Sequence, residues 1–331
     1  MSRVFSGIKP TGDVHLGNLL GALSNWVAMQ AEHDCVYSVV DLHALTAPQD
    51  PEELSRTTLL TAQLLMAIGV DPDRAVLFVQ SHVHEHAQCA WLMECTASFG
   101  ELRRMTQFKD KSETSDFVSG GLFTYPALQA ADILLYDTEI VPVGEDQRQH
   151  LELTRDIAER FNHRYGETFV LPRTVVPGTA ARVMDLQQPH AKMSKSADSP
   201  QGSIGILDDL GAVTKKIKRA VTDSDNEVHY DPETKPGVAN LLDMLAAATG
   251  EDPQALADRY EQYGPLKGDT AEAVCDLLSP VQERFRALEA DPAQTAALLT
   301  EGARKAAAIA GPVLERAQRN VGLLAPGDRS Q

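Results

Sequence analysis

Several features that mark other classes of protein are missing from this 331-residue sequence. No apolar run is long enough to cross a bilayer. The N-terminus, MSRVFSGIKPTG, reaches glycine and proline too early to contain the apolar core of a secretory signal. The four cysteines, at positions 35, 89, 95 and 275, form no Cys-x-x-Cys pair, which argues against a zinc ribbon or a redox site and favours buried, reduced thiols. We therefore expect a cytoplasmic protein with no membrane contact and no protein-bound metal.

Broad basic surface is missing as well. The formal net charge of −17 argues against nonspecific attraction to nucleic acid, because phosphate binding normally requires basic surface. Local patches remain possible in two places. The densest basic run is Lys215-Lys216-Ile217-Lys218-Arg219, and a second group comprises Arg103, Arg104, Lys109 and Lys111. Each is explained as well by a solvated helix face as by an RNA contact.

Short β-rich runs alternate with helical stretches in the first half of the chain. The candidate strands are 3–6, 35–41, 75–80 and 140–143, and amphipathic patterns at 19–32, 52–68 and 151–161 predict helices. This alternation implies right-handed crossovers and an α/β fold with a Rossmann-type, doubly wound parallel sheet. Ligands bind beyond the carboxyl ends of such strands, where segments 7–17 and 144–147 fall.

The pattern changes past Pro189. The residues up to Gly205 are rich in Ser, Lys, Asp, Pro and Gly, which is typical of a loop. From Ile206 onward helix formers dominate, with amphipathic stretches at 238–248, 272–288 and 293–310 and no β-rich run. The sequence therefore predicts a catalytic domain at 1–190, a mobile loop at 191–205 and an all-helical domain at 206–331.

The predicted loop carries two lysines one turn apart, in Lys192-Met193-Ser194-Lys195-Ser196. Two ammonium groups on long side chains can follow a phosphate group as it moves, and small neighbours leave the backbone free to close over it. The segment therefore suits a mobile phosphate clamp. On composition alone, a solvated linker that happens to be basic is the simpler interpretation.

A second candidate phosphate-binding element, SGIKPTGDVHLGN at 6–18, follows the first strand. Its glycines permit close backbone approach, the helix that follows offers unpaired N–H groups, and His15 can donate a hydrogen bond to a phosphate oxygen. It matches neither the dinucleotide-binding Gly-x-Gly-x-x-Gly pattern nor a Walker loop. Alone, His15-Leu16-Gly17-Asn18 is a weak signal.

Together, the two elements resemble the paired signatures of class I aminoacyl-tRNA synthetases. His15-Leu16-Gly17-Asn18 is similar to the His-Ile-Gly-His element, and residues 192–196 match Lys-Met-Ser-Lys-Ser letter for letter. Three further segments, TYP at 124–126, AADILLY at 130–136 and VPVGEDQ at 141–147, resemble the bacterial tryptophanyl enzymes of that class. The resemblance extends through essentially the whole chain.

This resemblance implies a two-step activity. L-Tryptophan and ATP, accompanied by Mg²⁺, would give tryptophanyl-adenylate and pyrophosphate, and the 2′-hydroxyl of the terminal adenosine of tRNA(Trp) would then take the acyl group. Because the attacking carboxylate is already ionised, activation requires electrostatic stabilisation rather than a general base. The family also implies a homodimer whose tRNA spans both subunits, with the helical domain at the anticodon.

The resemblance further assigns residues to each ligand. The residues that would stabilise charge during activation are His15, Asn18, Lys111, Lys192 and Lys195. The ATP site would comprise Lys9, Pro10, Thr11, Gly17, Asn18, Gly144, Glu145, Asp146, Val183, Lys192, Met193, Ser194, Lys195 and Ser196. The tryptophan site would comprise Phe5, His43, Tyr125, Gln129, Asp132 and Gln147.

Asp132 carries the expected specificity. It lies in an apolar helical stretch, where an unpaired carboxylate is costly, so it should have a partner. In the family it accepts the indole N–H, and a buried acceptor can reject analogues lacking that donor by about ten-thousandfold. An aspartate that caps a neighbouring helix is the structural alternative. An acceptor would also suit a tyrosine hydroxyl, so the choice of tryptophan depends on the flanking segments.

Two positions depart from the family. Lys9 stands where glutamine is usual, and Gln129 stands where methionine is usual. A cation near the substrate carboxylate or ATP, and a polar group beside the indole ring, would each change the balance between tryptophan and its analogues. We therefore hypothesise altered sensitivity to analogues or inhibitors.

Alternative interpretations remain at this point. The chain could activate tyrosine, act as a tryptophan-sensing or protein-binding paralogue, or be a nucleotidyltransferase with a His-x-Gly-His element. The histidines in Ser81-His82-Val83-His84-Glu85-His86 could hold a metal, but the predicted strand ends at Gln80, which favours surface or capping histidines. Cys89 and Cys95 are expected to pack on the following helix.

Overall fold

The fold is built on a five-stranded sheet. In this computed structural model, residues 1–10, 14–109, 117–142, 144, 147–175, 182–194 and 200–324 are described. The strands are β1 (Arg3–Ile8), β2 (Asp34–Val39), β3 (Val76–Val79), β4 (Ile140–Pro142) and β5 (Arg173–Val175). All pairs are parallel and the order is β3-β2-β1-β4-β5, with Val4 opposite both Cys35 and Ile140. The predicted α/β fold with a doubly wound parallel sheet is confirmed.

Helices cover the sheet and make up the elements described after residue 206. The first helical segment runs through α1 (Leu16–Asn18), a π-helical turn (Leu19–Leu23) and α2 (Ser24–Met29). The others are α3 (Pro51–Ile68), α4 (Glu85–Thr96), α5 (Phe99–Arg104), α6 (Gly120–Leu134), α7 (Arg148–Tyr165), α8 (Leu210–Lys218), α9 (Pro236–Thr249), α10 (Pro253–Ala257), α11 (Tyr263–Glu289) and α12 (Pro292–Asn320). Two short 3₁₀ segments, Leu42–Thr46 and Gln80–His82, follow β2 and β3.

The predicted strands are present with shifted ends. β1 continues two residues beyond the predicted end at residue 6, and β5 was missed entirely. The missed strand has only three residues, two of them exposed, so it lacks the apolar run by which a buried strand is recognised. The first helix begins at Leu16 rather than residue 19, because the Asn18 side chain accepts the His15 backbone N–H at 3.1 Å and so stabilises an earlier start.

Two hydrophobic cores lie on the two faces of the sheet. One joins α2, α3 and the helices α8 to α11, and the other joins α4, α6, α7 and α12. The last helix thus returns to the sheet and crosses β3. Gly302 permits this approach, since a Cβ there would overlap the carbonyl oxygen of Leu77.

Two expectations about surface and burial can be compared with the structure. None of the helices in the described residues is both long and apolar enough to span a bilayer. All four cysteines are free, and Cys35 and Cys89 are buried, but Cys95 is exposed and Cys275 is partly exposed. Burial was therefore predicted wrongly for Cys95, which lies at the surface near the end of α4, and Cys275 is only partly buried.

Candidate active site

A pocket of about 360 Å³ opens where the strand order reverses between β1 and β4. This is where doubly wound sheets bind ligands, because adjacent connections leave the sheet toward opposite faces there. The residues from the predicted ligand sets that line it are Phe5, Lys9, Asn18, His43, Tyr125, Gln129, Asp132, Gly144 and Gln147. Ile133 and Val141 add apolar side chains to its wall. One cavity thus brings together residues from position 5 to position 147.

Asp132 lies at the base of this pocket on α6 and is 1% exposed. Its Oδ2 lies 2.7 Å from His43 Nε2, and its Oδ1 lies 2.6 Å from both Gln80 Nε2 and His86 Nδ1. These side-chain partners satisfy the expectation that the carboxylate is paired. They also exclude the alternative of a helix-capping aspartate, because each partner is a side chain.

The environment of Asp132 keeps it ionised. Burial by itself would raise the pKa of this carboxyl, but the charge and hydrogen bond of His43, together with the hydrogen bond of His86, outweigh burial and lower the pKa below its usual value. An ionised carboxylate is an acceptor only, so its remaining lone pairs can receive a ligand N–H or O–H. The base of the pocket therefore selects for a hydrogen-bond donor.

The walls of the pocket are aromatic and amide side chains. Phe5 stacks on Tyr136 at 5.4 Å between ring centroids, and Tyr125 meets the edge of His43 at 6.3 Å. The Tyr125 hydroxyl lies 3.1 Å from Gln107 Oε1 and 2.7 Å from His150 Nε2. Burial raises the pKa of Tyr125 to about 12, so the hydroxyl stays neutral. A flat ring with one polar edge fits such a space.

His15 and Asn18 form the start of the first helix beside the pocket. The Asn18 oxygen is occupied by the His15 backbone N–H, which leaves the side-chain N–H groups of Asn18 to act as donors. His15 Nδ1 is buried and has no hydrogen-bond partner among the described residues. Burial first, and then the charge of Lys192, lowers the pKa of His15. The imidazole is therefore neutral at pH 7 and can serve as a neutral donor.

The second signature segment lies against the first. Met193 donates its backbone N–H to the Val183 carbonyl at 3.1 Å, and Lys192 pairs with Met184 in an antiparallel bridge. A Cβ placed on Gly17 would lie 3.6 Å from the Cβ of Met193. Residues more than 170 positions apart in the sequence are thus neighbours, with Lys192 close enough to His15 to affect its pKa.

A short strap completes this junction. Leu16 donates its backbone N–H to the Ile204 carbonyl at 2.8 Å, and Ile206 donates to the Val14 carbonyl at 3.0 Å. These bonds fix both ends of the segment around Gly205, which bridges to His15. The start of the first helix is therefore held by the chain that leads into the helical half.

The remaining predicted site residues divide into two groups. Pro10, Gly17, Val183, Met193 and Ser194 do not line the pocket but lie beside it or in the adjoining segment, with Val183 and Met193 buried. Thr11, Lys111, Glu145, Asp146, Lys195 and Ser196 lie outside the described residues. The described residues contain no group of three or more His, Cys, Asp or Glu that could hold a metal ion.

The sequence did not reveal the residues behind Asp132. His86 was predicted to be a surface or capping histidine, and that prediction was wrong: His86 is fully buried and bonded to Asp132, whereas His82 and His84 are exposed. A signal was present, because His86 is in helical register with the buried Cys89 and Met93. Gln80 and Tyr136 gave no comparable signal.

Known proteins are similar to this chain in sequence and in fold. A family model for tRNA synthetases class I (W and Y) matches residues 1–279. The tryptophan–tRNA ligase of Mycobacterium leprae is 53% identical over 332 residues, which cover 98% of this chain and 97% of that protein. The tryptophanyl-tRNA synthetase structure from Mycoplasma pneumoniae has a TM-score of 0.91 at 37% identity, covering 98% of each chain. The Campylobacter jejuni tryptophanyl-tRNA synthetase, solved with ADP and tryptophan, has a TM-score of 0.83 at 35% identity, covering 97% of this chain and 100% of that one.

Proposed function

The chain belongs to the family of class I tRNA synthetases for tryptophan and tyrosine, and we propose that it is a tryptophan–tRNA ligase. It joins the carboxylate of L-tryptophan to the α-phosphate of ATP, releases pyrophosphate, and passes the acyl group to the 2′-hydroxyl of the terminal adenosine of tRNA(Trp). The observation that carries this proposal is the meeting of the two signature segments beside a pocket whose base is an ionised, buried acceptor. Mg²⁺ enters with ATP as part of the substrate.

The amino acid occupies the end of the pocket formed by Asp132. Its indole N–H donates to Asp132, and its ring lies among Phe5, His43 and Tyr125, with Gln129 and Gln147 toward its polar end. A ring held among aromatic side chains gains from both burial and edge or stacking contacts. A ligand without a ring N–H would leave the buried acceptor unpaired, so the ring N–H is required.

The phosphates occupy the side of the pocket formed by the two signature segments. His15 and Asn18 provide neutral donors, and Lys192 provides positive charge against the α-phosphate and the departing pyrophosphate. Donors of this kind typically contribute about a hundredfold to a thousandfold each to the rate. Lys9, Pro10, Thr11, Gly17, Gly144, Glu145, Asp146 and Val183, with Met193, Ser194, Lys195 and Ser196, are assigned to ATP on the family resemblance, and Lys111 and Lys195 are further cations.

One experiment tests the activity directly. Tryptophan-dependent exchange of labelled pyrophosphate into ATP is expected, with tyrosine-dependent exchange lower by about tenfold or more, because the single ring of tyrosine fills less of the apolar space than the indole ring does. Charging of tRNA(Trp) then tests the second step. Exchange that depends on tyrosine, or tryptophan binding with no exchange, would instead indicate the tyrosine enzyme or a tryptophan-sensing paralogue.

The proposal includes a homodimer, supported by an exposed apolar surface. Leu45, Trp91, Phe99, Phe117 and Val118 are exposed. Leu45 lines a groove between the 3₁₀ segment after β2, α4 and α6, Trp91 lies on α4, and Phe99 contacts Phe123 of α6 at 5.2 Å between centroids. Several large apolar side chains exposed on neighbouring elements are typical of an interface. In sedimentation velocity, Trp91→Glu should shift the protein toward monomer, whereas Leu323→Glu, at an exposed leucine beyond α12, should not.

The helical half is proposed as the tRNA-binding part, with the anticodon at the domain assigned to 206–331. Lys215, Lys218 and Arg219 are exposed on or beside α8 and can reach phosphate. Lys216 has another role, because its Nζ binds Ser203 O and Asp208 Oδ2, each at 2.7 Å. Replacing Lys215 and Lys218 with Gln should weaken tRNA charging, with amino-acid activation unchanged. Since ATP and tRNA occur together in the cytoplasm, we place the activity there.

Lys9 and Gln129 are proposed to alter sensitivity to tryptophan analogues. Lys9 lines the pocket, and Gln129 Nε2 lies 3.5 Å from Gln147 Oε1 across its wall. Lys9→Gln and Gln129→Met should change the inhibition constants of indole-ring inhibitors relative to the KM for tryptophan. Unchanged affinities for tryptophan, ATP and these inhibitors in both variants would contradict the hypothesis.

A further inference from the structure

Behind the amino-acid pocket, three buried polar side chains form a chain that leads away from the ligand. His86 Nδ1 lies 2.6 Å from Asp132 Oδ1, and His86 Nε2 lies 2.8 Å from the Tyr136 hydroxyl. Tyr136 and His86 are both 0% exposed, and Phe78 packs within 6 Å of each ring, at 5.8 and 5.6 Å between centroids. Neither His86 nor Tyr136 lines the pocket. Any influence they have on a ligand must pass through Asp132.

The surroundings fix the protons along this chain. Burial first, and then the charges of Asp132 and Glu85, raise the pKa of Tyr136 well above its usual value, so the phenol remains protonated. Among the described residues, the Tyr136 hydroxyl has no hydrogen-bond partner other than His86. The O–H therefore donates to His86 Nε2, and the ring proton is placed on Nδ1, which donates to Asp132. A neutral imidazole suffices for both bonds.

The partners of Asp132 are distributed unequally between its two oxygens. Oδ1 receives two donors, Gln80 and His86, which both lie outside the pocket. Oδ2 receives only His43, which lines the pocket as Asp132 does. Because a carboxylate oxygen accepts about two hydrogen bonds, Oδ1 is saturated and Oδ2 keeps one lone pair. The unfilled lone pair is thus on the oxygen bonded to a pocket-lining residue.

We infer that Tyr136 and His86 are a positioning pair that saturates Asp132 Oδ1 and so presents Oδ2 alone to the ligand, which sets the requirement for a ring N–H. This inference rests on the proposed function, because it concerns how the same pocket selects tryptophan. Without the His86 bond, Oδ1 would hold an unfilled lone pair and the carboxylate could rotate. An amino acid with no donor on its ring would then be excluded less strictly.

The test compares two substrates in pyrophosphate exchange. One is L-tryptophan, and the other is its analogue with sulfur in place of the ring nitrogen, which keeps the shape but lacks the donor. The measured quantity is the kcat/KM for tryptophan divided by the kcat/KM for the sulfur analogue. His86→Leu removes the donor to Oδ1, His86→Asn places an amide N–H near the position of Nδ1, and Tyr136→Phe removes only the outer hydroxyl. His84→Leu and His84→Asn are matched controls at an exposed histidine on the same helix start.

The expected results separate positioning from general structural support. His86→Leu should lower the ratio about 10- to 100-fold, as expected for losing a hydrogen bond to a charged group. Tyr136→Phe should lower it about threefold to tenfold, since a neutral hydrogen bond is lost. His86→Asn should restore most of the ratio, and the His84 variants should leave it unchanged. A purely structural role would reduce both kcat/KM values together and leave their ratio intact.

Two outcomes would overturn the inference. One is an unchanged ratio in folded His86→Leu protein, as judged by circular dichroism. The other is a ratio in His86→Asn that is as low as the ratio in His86→Leu. If His86→Leu does not fold, Tyr136→Phe still decides the question, because an unchanged ratio in that variant would also overturn the inference. Failure of the proposed function is distinguishable, because the unsubstituted protein would then show no tryptophan-dependent exchange at all.

Discussion

The side-chain amide of Asn240 holds the backbone of Met184 on both sides. Its Oδ1 accepts the Met184 N–H at 2.8 Å, and its Nδ2 donates to the Met184 carbonyl at 3.0 Å. Asn240 lies on α9 of the helical half and is 3% exposed, while Met184 pairs with Lys192 at the second signature. One buried side chain therefore links the helical half to the segment that carries Lys192.

Replacing this amide should destabilise the protein. Asn240→Leu leaves the N–H and the carbonyl of the partly buried Met184 unpaired, so we expect the free energy of unfolding to fall by about 2–4 kcal/mol. Asn240→Asp keeps the acceptor but has no donor. Its decrease in the free energy of unfolding should therefore differ from that of the leucine variant. Urea unfolding measures both. Equal midpoints for Asn240→Leu and the unsubstituted protein would show that these bonds contribute nothing.

Two glycines on α12 provide a matched pair for packing. At Gly302 an added Cβ would overlap the Leu77 carbonyl oxygen, whereas at Gly311 the nearest atom would be Glu85 Oε1 at 3.9 Å. Gly302→Ala should therefore lower the free energy of unfolding by about 1–3 kcal/mol, as overpacking does. Gly311→Ala should raise it by about 0.5–1 kcal/mol, because alanine favours a helix. The urea midpoints of the two variants should therefore shift in opposite directions from that of the unsubstituted protein.

The proximity of Lys192 to His15 predicts a pH effect. Burial first, and then Lys192, lowers the pKa of His15 from its usual 6.5, so Lys192→Met should raise that pKa. The folded protein binds fewer protons than the unfolded chain just below pH 6.5, and stability therefore rises with pH through this window. The slope should be shallower in Lys192→Met.

Titration of the His15 ring resonances by NMR measures this shift, with His15→Gln identifying the signal. Lys218→Met, on the exposed side of α8, is the control and should leave the His15 titration unchanged. A His15 pKa that is the same in both lysine variants would mean that Lys192 lies too far from the ring to act on it.

Asp132→Asn should affect both stability and activity. The amide cannot accept from His43, Gln80 and His86 together, so we expect a loss of about 2–4 kcal/mol in the free energy of unfolding at pH 7. The pKa of Asp132 is lowered in the folded state, so its contribution is present above pH 3.8 and is lost as pH falls below that value. Between pH 7 and pH 3, the stability difference from the unsubstituted protein should shrink.

The activity of the same variant is expected to fall at least about a hundredfold in tryptophan-dependent exchange, because one required acceptor is replaced. Asp73→Asn, at an exposed aspartate in the loop before β3, is the matched control and should change neither quantity. Full exchange activity in Asp132→Asn would remove Asp132 from the amino-acid site.

The sequence predicted the local elements more reliably than the burial of individual polar residues. Strands β1 to β4 were expected because their apolar runs are bounded by polar turns, and the pairing of the two signatures indicated the family. β5 was missed because a three-residue edge strand has no such run. The burial of His86 was predicted wrongly because three alternating histidines are typical of a surface segment. Only the helical register of His86 with the buried residues of α4 indicates that it is buried.

What the sequence by itself determined was the α/β alternation, the helical second half and the chemical groups that a phosphate and a donor-bearing ring require. These depend on periodicity and residue type, which are local properties. Only the tertiary structure decided that Gly17 meets Met193, that Asn240 holds Met184, and that Tyr136 and His86 stand behind Asp132. Such contacts depend on the order of strands in the sheet and on how helices cross it, and no local pattern specifies either.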